Sequence, residues 1–570
     1  MPDYWPQRLI HVPSMTSAPR DEFNVYRAAG IEAKEPIYNI LSYTWGRWVI
    51  RDGSRDGHRT LPLTGTPWAI PAVEESHFTA DGFLKVVRAV AGLANTEATA
   101  DWVWVDIGCI DQRDNEQAAV EIGRQASIFK RAQCPFVWLS HLPATELGPA
   151  VRDAEARALE LSAFLDEPPR GRTNARLVLG RVGEGLQKAL GFIFSDPWFS
   201  SLWTLQEVIL RDDAIVLSAE GEPIVWDTEP SVQYMFLTMF INLCRNIYRD
   251  LALLEQRLSP LTTVATTGMD THSLDLGYDG APLFRDVKAQ ILRAGFQYLF
   301  SNNPNVQYGV ARYRTTSRRT DRVYAIMQTY GVRVGKAARP GADPELDDLV
   351  DEFAGAINTR SAILGQLFLH TAAPTPGKSW RITENSIVPG RFLYYKRPND
   401  LCKFEVATGS GPLTPVRASG KWCRLDDLIS IAQEAGRHDF SVDLGWGLRF
   451  RAYFDHHIAG NVTNQWADQK IHIRDTRPKS GPVMITRRDI QVLLLGDIEG
   501  ERLSRQKRFE RRNIGLLLFP HHGDQGDDGY WQRGVSYERL GVCIWTPYYD
   551  WDYELLHRIT WHNIDGLELH

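Results

Sequence analysis

Cysteine is sparse in this sequence and never paired. The six lie at positions 109, 134, 244, 402, 423 and 543, with no CxxC among them. That usage argues against a disulfide framework or a zinc site, and fits thiols in a reducing compartment. Long apolar runs are also missing. The best, Val232 to Cys244, is too short to span a bilayer and ends at Arg245. The opening Met1-Pro2-Asp3-Tyr4-Trp5 lacks the basic and then apolar regions of a signal peptide. No charge sign dominates either: a formal charge of -6 over 570 residues gives no reason to expect nucleic acid or an anionic membrane as partner. The expectation is a soluble, cytoplasmic protein.

What is present is ordinary globular material, 43% apolar and 24% charged, with a heavy load of 18 Trp. A chain this long suggests two or three domains. In the first third, β-prone runs alternate with helical ones. Tyr38 to Tyr43, Trp102 to Ile107, Phe136 to Leu139 and Ile215 to Ser218 read as strands. Residues 81–94, 115–132, 150–194 and 199–210 read as helices, the first with Phe83, Val86, Val87 and Val90 on one face and the second capped by Asp114. Such alternation predicts βαβ units and a parallel sheet. Helical periodicity follows from 229 to 370, and after about 375 Gly and Pro punctuate short β-prone runs, at Phe392–Tyr395, Val483–Ile485, Gln491–Leu495, Ile514–Phe519 and Val542–Trp545. The expected domains are an α/β domain over 1–225, a helical region over 226–374, and a mixed, β-rich domain over 375–570.

Three blocks stand out early: Tyr38-Asn39-Ile40-Leu41-Ser42-Tyr43-Thr44-Trp45-Gly46; Trp104-Val105-Asp106-Ile107-Gly108-Cys109-Ile110-Asp111-Gln112; and Trp198-Phe199 with Trp203-Thr204-Leu205-Gln206-Glu207. In open parallel sheets ligands gather at the carboxyl ends of strands. Ser42, Tyr43, Trp45 and Gly46 follow one such end, and Asp106, Cys109, Asp111 and Gln112 follow another. In the third block Leu202, Leu205 and Ile209 make a helical core stripe. Trp203 and Glu207, four apart, share a face roughly 120° away from it.

In this order and spacing, the blocks resemble the heterokaryon-incompatibility (HET) domain of fungal incompatibility proteins. Arg8-Leu9-Ile10-His11-Val12 and the later Asp321-Arg322-Val323-Tyr324-Ala325-Ile326-Met327 are similar to that family too. The family usually has Asn where this chain has Asp111, and commonly Ala where it has Ile107 or Gly108. The HET domain in turn resembles the TIR domain, which implies a flavodoxin-like parallel sheet flanked by helices. TIR enzymes cleave NAD at the nicotinamide–ribose bond, with a catalytic Glu four residues after a Trp on a helix. The resemblance therefore implies Glu207 as the catalytic carboxylate. It implies a nucleotide pocket from Ser42, Tyr43, Trp45, Gly46, Asp106, Asp111, Gln112 and Trp203. It further implies NAD as substrate with no bound cofactor, self-association, and protein partners in a non-self recognition that ends in cell death. The other class of reading is a non-enzymatic death-fold adaptor, in which Glu207 serves a hydrogen bond, an ion pair or an interface.

The remaining signals are weaker. Gly180-xx-Gly183-x-Gly185 has the wrong order for a dinucleotide fingerprint and reads as a bend. Arg312, Arg314, Arg318, Arg319 and Arg322 read as a solvated or interdomain face. The pairs His456-His457 and His521-His522 lack metal-site spacing, and Asp524 to Asp528 lacks the calcium-loop pattern.

Overall fold

The first third is built on short strands, of which the parallel ones are largely apolar stretches because their sheet is covered on both faces. In the computed structural model the strands are β1 (Arg8–His11), β2 (Thr16–Pro19), the separate hairpin β3 (Val25–Ala28) and β4 (Ile31–Lys34), β5 (Tyr38–Ser42), β6 (Trp102–Trp104), β7 (Pro135–Trp138) and β8 (Ile215–Leu217). The six-stranded sheet runs β2-β1-β6-β5-β7-β8. The four strands β6-β5-β7-β8 pair in parallel, and β1 and β2 extend the sheet antiparallel beyond β6. Asn39, a polar residue inside β5, is fully buried; its amide donates to the Val90 carbonyl at 2.7 Å and accepts from the Cys134 N–H at 3.2 Å.

The structure describes residues 5–50, 60–93, 100–113, 115–169, 171–228, 231–258, 281–299, 301–389, 392–393, 395–406, 416–434, 449–456, 470–473, 483–486, 489–499, 511–520, 536–546 and 558–569. Asp114, His457, His521, His522 and Asp524 to Asp528 lie outside them. The chain packs as two units: Met1–Phe300 with Tyr313–Glu345, and Ser301–Arg312 with Leu346–His570.

In the first unit the helices are α1 (Ala80–Gly92), α2 (Asp106–Cys109), α3 (Glu116–Ile122), α4 (Gln125–Arg131), α5 (Ala144–Asp166), α6 (Arg172–Ile193), α7 (Leu202–Leu210), α8 (Leu237–Leu258) and α9 (Ala281–Ala294). α1 starts at Thr79, whose hydroxyl accepts from the Gly82 N–H, and buries Phe83, Val86, Val87 and Val90 against the sheet. Several expectations need correction. Trp102 to Ile107 is not one strand, since the chain leaves the sheet after Trp104 and coils into α2. Residues 115–132 are two helices, broken at Gly123-Arg124. The Gln328 side chain fills the break: its amide donates to the Ile122 carbonyl and accepts from the Ala126 N–H, both at 2.6 Å. The described cap of α3 is Asn115, which accepts from the Ala118 N–H. Gly180, Gly183 and Gly185 form no bend but lie inside α6. A Cβ at Gly183 would stand 2.6 Å from Leu283, so this glycine lets α9 approach.

Among the described residues of the second unit, short helices (Leu346–Arg360, Ala362–Gln366) precede a largely antiparallel sheet. Strands 491–499, 511–520, 536–546, 562–569 and 416–424 pair in sequence, and 416–424 pairs back onto 491–499. The β-rich C-terminal region is therefore a closed ring of five strands around Val492, Leu517, Cys543 and Trp545. Closure leaves these strands no free edge. The expected strand at Phe392–Tyr395 is absent at the described positions; the nearby strand is Lys396–Asp400. All six cysteines are free and buried. Among the described residues no helix is long and apolar enough to cross a membrane.

Candidate functional site

The turns that leave β5 and β6 open onto a cleft of about 530 Å³, closed on its far side by α7 and by residues 315–344. Tyr43, Trp45, Gly46, Asp106, Asp111, Gln112, Trp203 and Glu207 all line it; Ser42 does not. Three segments far apart in sequence meet here because the parallel order sets the ends of β5 and β6 side by side. α7 buries Leu202, Thr204, Leu205, Gln206 and Val208, and turns the half-buried Trp203 and Glu207 toward the cleft.

Ser42 stands behind Glu207. Its hydroxyl accepts from the Trp198 indole N–H at 2.7 Å and donates to Glu207 Oε2. A single rotor on the last residue of β5 thus fixes the carboxyl of α7. Burial pushes the Glu207 carboxyl well above the ordinary carboxylate range; the bond from Ser42 opposes that shift, and the charge of Asp106 adds to it. Asp106 accepts from the Trp45 indole N–H at 2.7 Å and from the Ile107 N–H at 2.7 Å. Its pKa is raised too, by burial against these opposing bonds. Two acidic groups in one cleft are therefore both disfavoured as anions.

The other candidates have structural attachments as well. Asp111 holds the Arg113 guanidinium at 2.6 Å and the Asn115 amide at 2.9 Å, and the bond from Arg113 keeps it below the usual carboxylate range. The Gln112 amide donates to the carbonyls of Ile110 (2.8 Å) and Asp106 (3.2 Å), closing its own loop. Gly108 packs where a Cβ would meet Ile10 and Leu63 at 3.0 Å, which explains glycine rather than alanine here. Gly46 is the opposite case: a Cβ there meets nothing within 4 Å. Cys109 is buried, and burial pushes its thiol up, away from nucleophilic use.

Several residues escaped sequence reasoning. The Trp203 indole N–H donates to Asp321 at 3.1 Å, and Thr316 donates to the same oxygen at 2.6 Å. The family-like block at Asp321 thus has a place in the site, although its spacing gave no hint of one. Arg314 corrects the reading of the basic run as a solvated face. It is fully buried, and its guanidinium bonds the carbonyls of Trp198, Ser201 and Ala294. Burial pulls that guanidinium down to about 9, with the like charge of Arg47 contributing.

His77 supports the first turn from behind. It bonds the Thr44 carbonyl through Nε2 at 2.5 Å and His141 Nε2 through Nδ1 at 2.8 Å, and it stacks on Trp48 at 3.7 Å. Burial lowers its pKa from 6.5 to about 4. Between those values the unfolded chain takes up a proton that the folded one refuses, so stability is full above pH 6.5 and falls as the pH drops toward 4. The share is on the order of 2–3 kcal/mol. His77→Phe, which keeps the stack, is expected to cost about 1–3 kcal/mol at pH 7 by stranding the Thr44 carbonyl. Its deficit should then shrink toward pH 4, as read by urea titrations at both pH values. A deficit independent of pH would rule this account out.

Among the described residues no cluster of three or more His, Cys, Asp or Glu side chains has the placement to hold a metal ion. Residues 38–207, from the first residue of β5 to Glu207 itself, match the family model described as Heterokaryon incompatibility protein (HET). The chain carries a HET domain. Heterokaryon incompatibility protein 6, OR allele, of Neurospora crassa is 26% identical to it over 209 residues, covering 32% of this chain and 28% of the relative. The match thus spans little more than a quarter of the curated relative's length. No solved structure matches the chain. The cleft-lining turns after β5 and β6, and α7 as far as Glu207, fall inside the HET match, whereas Thr316 and Asp321 lie beyond it.

Proposed function

We propose that the HET domain is a TIR-like module that cleaves NAD at the nicotinamide–ribose bond. On this reading, the reaction triggers cell death in fungal non-self recognition. The observation that carries the proposal is Glu207, set on α7 with its carboxyl in an aromatic cleft beside Trp203, Tyr43 and Trp45. The order β6-β5-β7-β8 supports the flavodoxin-like part. Numbered along the chain these parallel strands run 2-1-3-4, and ligands in that order sit at the carboxyl ends near the switch point.

Cationic nicotinamide is already a competent leaving group. The C1′–N bond breaks with its electron pair on nicotinamide, and Glu207 stabilises the oxocarbenium-like ribose. Water then adds at C1′ and gives its proton to the carboxylate, yielding ADP-ribose. Burial disfavours the ionised form of Glu207 in the free site, and the arriving nicotinamide cation favours it. Self-association assembles the module in the cytoplasm, and residues 226–374 and 375–570 restrain it or sense the protein partner.

One observation favours the adaptor reading instead. The Glu207 carboxyl already has a partner in Ser42, as a purely structural group would. NAD consumption by the purified chain at high protein concentration separates the two. Activity in the wild type that Glu207→Ala lacks, with circular dichroism unchanged, supports the enzyme. No consumption by either, with killing in cells still lost in Glu207→Ala, hands the site to protein–protein assembly.

Gly46→Leu gives an independent check. Its side chain enters open space, so stability is expected to stay within about 0.5 kcal/mol of wild type, as for other unencumbered surface changes. NAD consumption should nonetheless fall, because the cleft is narrowed. Undiminished activity in this variant would place the chemistry elsewhere.

A further inference from the structure

The two ends of the cleft wall formed by α7 differ in charge. At one end stand the carboxyls of Glu207 and Asp106. At the other, both terminal nitrogens of Arg47 lie 3.4 Å from Ser200 Oγ, just ahead of the first turn of α7. Arg47 lines the cleft, is exposed to solvent, and pairs with no carboxylate among the described residues. Beneath the same turn lies Arg314, a second guanidinium that is 1% exposed. Its two terminal nitrogens are bonded to carbonyls and the Thr204 hydroxyl, again with no carboxylate among the described residues. A buried charge is ordinarily paired, so Arg314 without a counter-ion, with the like charge of Arg47 near it, leaves a local excess of positive charge. From Ser200 to Glu207 the helical rise separates the cationic and acidic ends by about 10 Å. A ribose and the diphosphate attached to it, with a side-chain contact at each end, fit within that span.

We propose that Arg47 is the phosphate-binding residue of this cleft, reinforced by Arg314 beneath it, so that its ligand is a nucleotide held with phosphate at Arg47 and ribose at Glu207. This deepens the NAD reading and rests on it for the ribose end alone. Arg47 supplies two parallel N–H donors suited to a phosphate, and Arg314 contributes field without contact. Arg47 determines preference for phosphorylated over unphosphorylated nucleosides and takes no part in bond breaking.

The test is calorimetric binding of AMP, ADP-ribose and adenosine to the full chain, as wild type, Arg47→Ala and Arg47→Lys. The wild type is expected to bind AMP and ADP-ribose roughly tenfold or more tighter than adenosine, the worth of one charge-assisted pair. Arg47→Ala should erase that preference while adenosine binding stays the same, and Arg47→Lys should retain part of it. An unchanged AMP-to-adenosine ratio in Arg47→Ala, or no binding of AMP and ADP-ribose by the wild type, overturns the proposal. The cleavage reading is judged separately. A wild type that shows the Arg47-dependent preference yet leaves NAD intact keeps the phosphate site and loses the enzyme. NAD cleavage with a KM unaffected by Arg47→Ala does the reverse.

Discussion

Glu207→Gln is expected to lower NAD consumption by about 10²-fold or more while making the HET domain more stable at pH 8. Both effects come from one carboxyl. Gln preserves the shape and accepts the hydrogen bond from Ser42, but it cannot carry the charge that a cationic ribose requires. The stability gain follows from linkage. The folded-state pKa of Glu207 lies above its ordinary 4.5, chiefly through burial. Between the ordinary and the raised value the folded chain binds more protons than the unfolded one, so stability falls as the pH rises through that window. Below pH 4.5 both states are protonated and the wild type carries no penalty. The advantage of Gln should therefore be absent at pH 4, grow above it, and be largest at pH 8. Thermal midpoints of both proteins at the two pH values check this. A variant less stable than wild type at pH 8 would mean that the charged form of Glu207 is held by partners not seen here. By the same sign, kcat/KM of the wild type should rise with pH toward the raised value.

The second large effect lies in the other unit. Asp455 and Arg539 are both fully buried, with Oδ2 and Nε 3.5 Å apart. Asp455 also accepts from the His370 N–H at 2.8 Å; Arg539 reaches Gln366 Oε1 at 3.1 Å and the Phe368 carbonyl, and its guanidinium carbon lies 3.8 Å over the Phe368 ring. Asp455→Ala leaves that guanidinium in the interior without its counter-charge. The expected loss is about 3–5 kcal/mol, enough to unfold a marginal domain. The double variant Asp455→Leu with Arg539→Met should recover most of the loss, because the pair is needed less than its integrity is. Urea unfolding followed by tryptophan fluorescence distinguishes the cases. Equal loss in the single and double variants would show that packing, and not the stranded charge, dominates.

Much of the first unit was legible in the linear chain. Apolar runs of four to six residues marked β5, β6, β7 and β8, because a sheet covered on both faces needs no polar alternation. Core spacing in α1 named Phe83, Val86, Val87 and Val90 before the fold was seen, and all four are buried. The same local rules placed Trp203 and Glu207 on one face of α7. The three motif blocks, read together, identified the HET match that spans residues 38–207. In the second unit, Gln491–Leu495, Ile514–Phe519 and Val542–Trp545 announced themselves as β-prone by their composition and lie inside the strands 491–499, 511–520 and 536–546, but nothing local announced the closure of those strands into a ring.

Sequence alone therefore located β5, β6, β7, β8, α1 and α7, and the side chains that follow or lie on them, since these depend on neighbours within a few residues. The tertiary structure decided what required residues far apart to meet. Gln328 breaks residues 115–132 into two helices by satisfying the orphaned Ile122 carbonyl and Ala126 N–H. Asp321 reaches Trp203 across 118 residues, and Ser42 reaches Glu207 across 165. Arg314 looked like part of a solvated basic run and is instead a buried staple for the start of α7. None of these has a local signature, because hydrogen-bond partners and desolvation are set by packing, and packing is a property of the folded chain.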